Sequence, residues 1–150
     1  MNRAFGCALL GAFLLLGAPA AAHVRIVGDG NVTGGERVQI VFRCPTERNS
    51  PTTQLSIQLP AGIEPGTVRM PAVAGWHSAI SSDVVTWDGG SIPPHAAGYF
   101  TLDVVLPRGP HELPFKAIQN YADGTVVRWI ELSNPGEADP PHPAPVLHVH

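Results

Sequence analysis

The chain has 150 residues, of which 44% are apolar and 14% charged, with 16 glycines, 16 prolines and a net charge of −3. Such values fit one modest domain rich in turns and exclude a disordered chain. Beyond residue 22 the cations Arg25, Arg37, Arg43, Arg48, Arg69, Arg108, Lys116 and Arg128 are scattered singly, which excludes a phosphate-tracking surface and nucleic acid as a partner.

The chain opens with Met1-Asn2-Arg3, a short positive start, followed by an uncharged apolar run from Ala4 to Gly17. Ala20-Ala21-Ala22 then supplies the small residues that signal peptidase requires just before its cut. This predicts a signal peptide over residues 1–22, cleavage after Ala22, and a mature chain that is secreted or periplasmic. The run is shorter than the ~20 residues that span a bilayer, and no second one follows, so no transmembrane anchor is expected after signal removal. Cys7 departs with the signal. Cys44 is then a lone thiol that cannot form an intrachain disulfide; it reads as a small buried hydrophobe at the end of an apolar strand, with a redox or soft-metal role as the alternative.

From residue 23 the apolar pattern has period two, and no stretch carries a 3.6-residue repeat. Strands are predicted at Val24 to Val27, Arg37 to Arg43, Gln54 to Leu59, His77 to Ile80, Val84 to Trp87, Tyr99 to Leu106, Leu113 to Gln119 and Thr125 to Glu131. Gly34-Gly35, Pro60-Ala61-Gly62, Asp88-Gly89-Gly90 and Asp123-Gly124 are among the turns between them. The expected fold is all-β, an immunoglobulin-like or cupredoxin-like β-sandwich of two antiparallel sheets over residues 23–133. Val38, Ile40 and Phe42, then Leu55, Ile57 and Leu59, then Phe100, Leu102, Val104 and Leu106 supply its core faces. Residues 134–150, rich in Pro and His, read as an extended tail.

His23 is the most informative single residue. Cleavage after Ala22 makes it the mature N-terminus, so its amine and its imidazole Nδ1 can close a six-membered chelate ring on one metal ion. That bite suits the tetragonal nitrogen and oxygen geometry of Cu(II). The alternative is an incidental first residue. In the last predicted strand, if Val126, Ile130 and Leu132 face the core, then Val127, Trp129 and Glu131 share the opposite face. The alternative for Trp129 is packing under a loop or in a small second cluster. Trp76 and Trp87 read as packing residues. His77, His95, His111 and His142 are isolated and read as exposed or locally bonded. His148 and His150, two apart on an extended segment, project together as a possible weak second metal site; an accident of the tail is the alternative.

Arg43-Cys44-Pro45-Thr46-Glu47-Arg48, Ala74-Gly75-Trp76, Trp87-Asp88-Gly89-Gly90-Ser91-Ile92-Pro93 and above all Phe115-Lys116-Ala117-Ile118-Gln119-Asn120-Tyr121-Ala122-Asp123-Gly124, followed by Arg128-Trp129-Ile130-Glu131, carry a family resemblance. Together with Ala22-His23-Val24 they resemble the YcnI-like family of exported copper-binding domains. The resemblance runs from His23 to about Val146. It implies a β-sandwich binding one Cu(II) per chain through a single-histidine brace, the amine and imidazole of His23, with the Trp129 indole against the metal. It also implies a carboxylate near the ion. Glu47, which matches the family's Pro-x-Glu turn, ranks first, and Asp123 and Glu131, close to Trp129 in sequence, are the alternatives. The role implied is copper acquisition or handling outside the cytoplasm.

The function expected is therefore a non-enzymatic copper binder without catalytic residues, passing its ion to a membrane or periplasmic copper transporter or chaperone. The rival is a copper-dependent oxidative enzyme, which uses a second histidine to complete a T-shaped nitrogen set. A structural β-sandwich interaction module is the third reading. A blue-copper carrier would need Cys, two His and usually Met together, and Cys44 has no nearby His in sequence. No Gly-x-Ser-x-Gly elbow points to a hydrolase.

Overall fold

The structure, a computed structural model, describes residues 23–28 and 31–150. The expected signal peptide, residues 1–22, lies outside the described residues. The period-two segments form β1 (Arg25–Ile26), β2 (Arg37–Pro45), β3 (Thr52–Gln58), β4 (His77–Ser81), β5 (Val84–Asp88), β6 (Ala97–Val105), β7 (His111–Pro114), β8 (Lys116–Tyr121), β9 (Val126–Trp129) and β10 (Val146–Val149). The described chain is all-β apart from a 3₁₀ turn at Pro65–Thr67.

A three-stranded sheet runs β1-β2-β6, a five-stranded sheet runs β4-β5-β3-β8-β9, and β10 pairs with β7; every strand pairing in them is antiparallel. Alternation places Ile40, Phe42, Phe100, Leu102 and Val104 on one inner face and Leu55, Ile57, Val85, Trp87 and Ala117 on the other, in one core. Trp87 of β5 meets Phe100 of β6 at 5.1 Å between ring centres. Phe115 meets Phe42 edge-on at 5.4 Å. Each such fully buried side chain contributes roughly 1.5–3 kcal/mol relative to exposure, which holds the layers together without a disulfide. Cys44 is buried in this core.

Two segments depart from the expected layout. The predicted strand Leu113 to Gln119 is broken at Phe115, whose N–H donates to the Pro145 carbonyl at 2.7 Å. Pro114 has no N–H to continue a ladder, so the chain changes sheet there: β7 pairs with β10, and β8 with β3. The second departure is the tail. Its last residues form β10, with Leu147 opposite Leu113 and His148 opposite Glu112, and with Leu147 and Val149 in the core. The prolines of 140–145 mask this strand in the sequence, whereas the open edge of β7 supplies the partner that fixes it.

Candidate metal centre

The face of β9 is decided by its neighbour. Ala117 of β8 lies opposite Trp129, and Gln119 opposite Val127; opposed residues share a face, and Ala117 and Gln119 are both fully buried. Trp129 therefore points inward and is only 5% exposed. This corrects the expectation of an outward indole. Val126, Ile130 and Leu132, expected in the core, are 39%, 39% and 56% exposed, because the same alternation would have buried Arg128 with them. The small Ala117 leaves room for the indole.

Its position is set by a buried polar chain. Trp129 Nε1–H donates to Gln119 Oε1 at 3.0 Å, while Gln119 Nε2 donates to the Pro45 carbonyl at 2.9 Å and to Thr52 Oγ1 at 2.7 Å. Thr52 and Thr46 share a hydroxyl hydrogen bond of 2.6 Å. A buried amide that satisfies all these groups locks one indole orientation.

Two imidazoles meet this fixed indole. In β1 and β2, Arg25 pairs with Arg43 and Ile26 with Phe42, and His23 lies two residues before β1. The His23 and Trp129 ring centres are 5.3 Å apart, tilted by 55°. His142, expected to be isolated, also lies 5.3 Å from the Trp129 ring centre, tilted by 58°. Its backbone is held by Glu131: the His142 N–H donates to Glu131 Oε2 at 2.8 Å, and its carbonyl accepts from the Glu131 N–H at 3.0 Å.

The three candidate carboxylates stand in different settings. Glu131 is committed to His142 as described. Asp123 accepts the Thr125 N–H at 2.9 Å and faces Arg48 at 3.8 Å; the hydrogen bonds from Thr125, aided by Arg48, hold its carboxyl below the usual range. Glu47 is exposed and lines a shallow depression with Arg48, Ser50 and Asp123. Among the described residues no three His, Cys, Asp or Glu stand together as a metal cage. His148 and His150 are exposed at the end of β10; His148 Nδ1 is 3.5 Å from Glu112 Oε1, and the His150 backbone is bonded to Val32 and Gly34.

Sequence reasoning missed two residues of this centre. Gln119 carried a signal, since it alternates with Ala117 and Tyr121 on the buried face of β8, where a polar side chain requires a partner. His142 carried none, because its place depends on the return of the 131–143 segment along β9. The donors present, imidazole nitrogen and carboxylate oxygen, are of the kind that Cu(II) takes.

Residues 77–149 match the family described as a domain of unknown function, DUF1775. Over 142 residues the chain is 29% identical to the copper-binding protein CutI of Bacillus subtilis strain 168, covering 90% of this chain and 67% of that one. A crystal structure of an uncharacterized protein from Nocardia farcinica, reported to have an immunoglobulin-like fold, superposes with a TM-score of 0.75 at 24% identity, over 85% of this chain and 98% of that one. The all-β architecture is thus immunoglobulin-like, and the matches to DUF1775 and to CutI support the resemblance of this chain to the YcnI-like family.

Proposed function

We propose that this chain is an exported copper-binding protein that holds one Cu(II) through the amine and imidazole of His23, with the Trp129 indole against the ion. The observation that carries this reading is the 5.3 Å approach of the His23 ring to an indole whose orientation the Gln119 hydrogen bond fixes. A relative named for copper binding supports the choice of metal. Removal of residues 1–22 frees the amine, and a brace of this type needs one histidine rather than a cage of three side chains. Glu131 and Asp123 already accept backbone N–H groups, which favours Glu47 as the carboxylate near the ion.

The role is copper handling or delivery outside the cytoplasm, to a membrane or periplasmic transporter or chaperone, without catalysis. An indole packed beside His23 would crowd the approach of oxygen to an ion held there, which favours binding over oxygen chemistry. The deciding experiment is Cu(II) titration of protein beginning at His23, followed by electron paramagnetic resonance. One tight site with a tetragonal nitrogen spectrum is expected, lost in protein that keeps one residue before His23. Binding no tighter than that of scattered surface histidines would favour a structural module.

A further inference from the structure

We infer that the outer face of the β1-β2-β6 sheet is a docking surface for an acidic segment of a partner protein, recognised through its carboxylates. The inference goes beyond the copper reading and does not depend on it. Register puts Arg25 opposite Arg43, and Arg43 opposite Tyr99. Opposed residues share a face, and the neighbours of Arg43 in β2, Phe42 and Cys44, are fully buried, so the three side chains of this row point outward. Arg25 is exposed, Arg43 half-buried and Tyr99 55% exposed. Val27, two residues on from Arg25, continues the face beside Val41, whose carbonyl accepts the Val27 N–H at 2.8 Å.

The charge on this face is one-sided. Asp103, the acidic residue that the three strands turn outward, is held by Arg37 at 2.7 Å at the far end. Both charged side chains of the near row are cationic, on a chain whose net charge is −3. Like charges set directly opposite lower the stability of a sheet, so this pairing serves something other than the fold. Residues so opposed are about 5 Å apart at Cβ, close enough for two guanidiniums to receive carboxylates of one extended acidic segment in the planar two-point geometry that Arg favours. Tyr99 and Val27 supply the apolar contact, and Arg and Tyr are side chains enriched where protein interfaces bind most strongly. An anionic membrane is the poorer match, since its recognition takes clusters of about 4–8 basic side chains and this row holds two.

The test uses copper-free protein beginning at His23 and a dye-labelled octaglutamate peptide, with octalysine as the control. Fluorescence anisotropy measures binding, and amide NMR shifts locate it. Binding of octaglutamate alone is expected, weakened by added salt, with shifts at Arg25, Val27, Arg43 and Tyr99. Arg25→Glu and Tyr99→Ser should each lower the affinity about tenfold or more, as central interface residues do. Arg108→Glu, the same charge change in the exposed turn after β6 at the far end of the sheet, should leave it unchanged. Circular dichroism checks each variant, and Arg25→Gln stands in if the charge reversal disturbs β1. No binding, or an equal loss in Arg25→Glu and Arg108→Glu, overturns the inference, because net charge rather than this face then governs. Binding of phosphatidylserine vesicles in place of the peptide overturns it in favour of a membrane surface.

Discussion

The Nε1–H of Trp129 donates to Oε1 of Gln119 across 3.0 Å inside the protein, and this one contact joins the core to the candidate metal centre. The same amide binds the Pro45 carbonyl and Thr52. Gln119→Leu therefore strands an indole N–H and a carbonyl in a buried place, while the Thr52 hydroxyl keeps its bond to Thr46. A loss of about 2–6 kcal/mol is expected in urea denaturation, since each of the two orphaned groups costs about 1–3 kcal/mol, together with weaker copper binding as the indole loosens. Unchanged stability would show that water or a rearranged Thr52 replaces the amide.

His23→Ala, or a single additional residue before His23, removes half of the chelate or its free amine and is expected to abolish tight Cu(II) binding in calorimetry. Protons compete with copper for the same nitrogens, so affinity should fall steadily as the pH is lowered. Full affinity in the extended protein would move the ion to another site, with His148 and His150 the first to examine.

Copper seated against the indole quenches Trp129 emission. Because Trp76 and Trp87 also emit, the informative comparison is Trp129→Phe, which should lose most of the copper-dependent quenching. The indole is a core residue, so the substitution also costs stability, about 1–3 kcal/mol for the smaller ring and the vacated Gln119 bond. Equal quenching in the variant would place the ion beside another tryptophan.

Deleting residues 144–150, which a reading of the tail as unstructured would leave harmless, removes β10 and uncovers the edge of β7. The loss of buried Leu147 and Val149 alone amounts to roughly 3–6 kcal/mol, so the truncated chain should melt far lower or fail to fold. Leu147→Ala is the milder probe, with a cost of about 2–5 kcal/mol expected. A truncated chain as stable as the parent would mean that β10 contributes little to the core.

Burial pushes the Cys44 thiol up from 9.0 to about 12, with Arg43 opposing the shift weakly. A thiol-reactive dye should leave the folded protein unlabelled and react once it is unfolded in urea. The linkage has a definite sign. Below pH 9 the thiol is protonated in both states and stability is unaffected; between pH 9 and about 12 only the unfolded chain ionises, so this group's contribution is progressively lost. Rapid labelling at neutral pH under native conditions would show that the strand opens.

Much of this protein is determined by period-two alternation. Ile40, Phe42, Leu55, Ile57, Phe100, Leu102 and Val104 mark both inner faces, and each is buried as its parity requires, because a strand has only two faces and water rejects one of them. The direction of Trp129 was not legible in this way: β9 has apolar residues at both parities, and the choice fell to its register with Ala117 and Gln119 on β8. Nor could the sequence reveal β10, whose alternating Leu147 and Val149 become part of a strand only beside the open edge of β7. The meeting of His23, Trp129 and His142 needs three remote segments to converge, and that convergence arises from sheet register and a buried amide, neither of which is a local property of the chain.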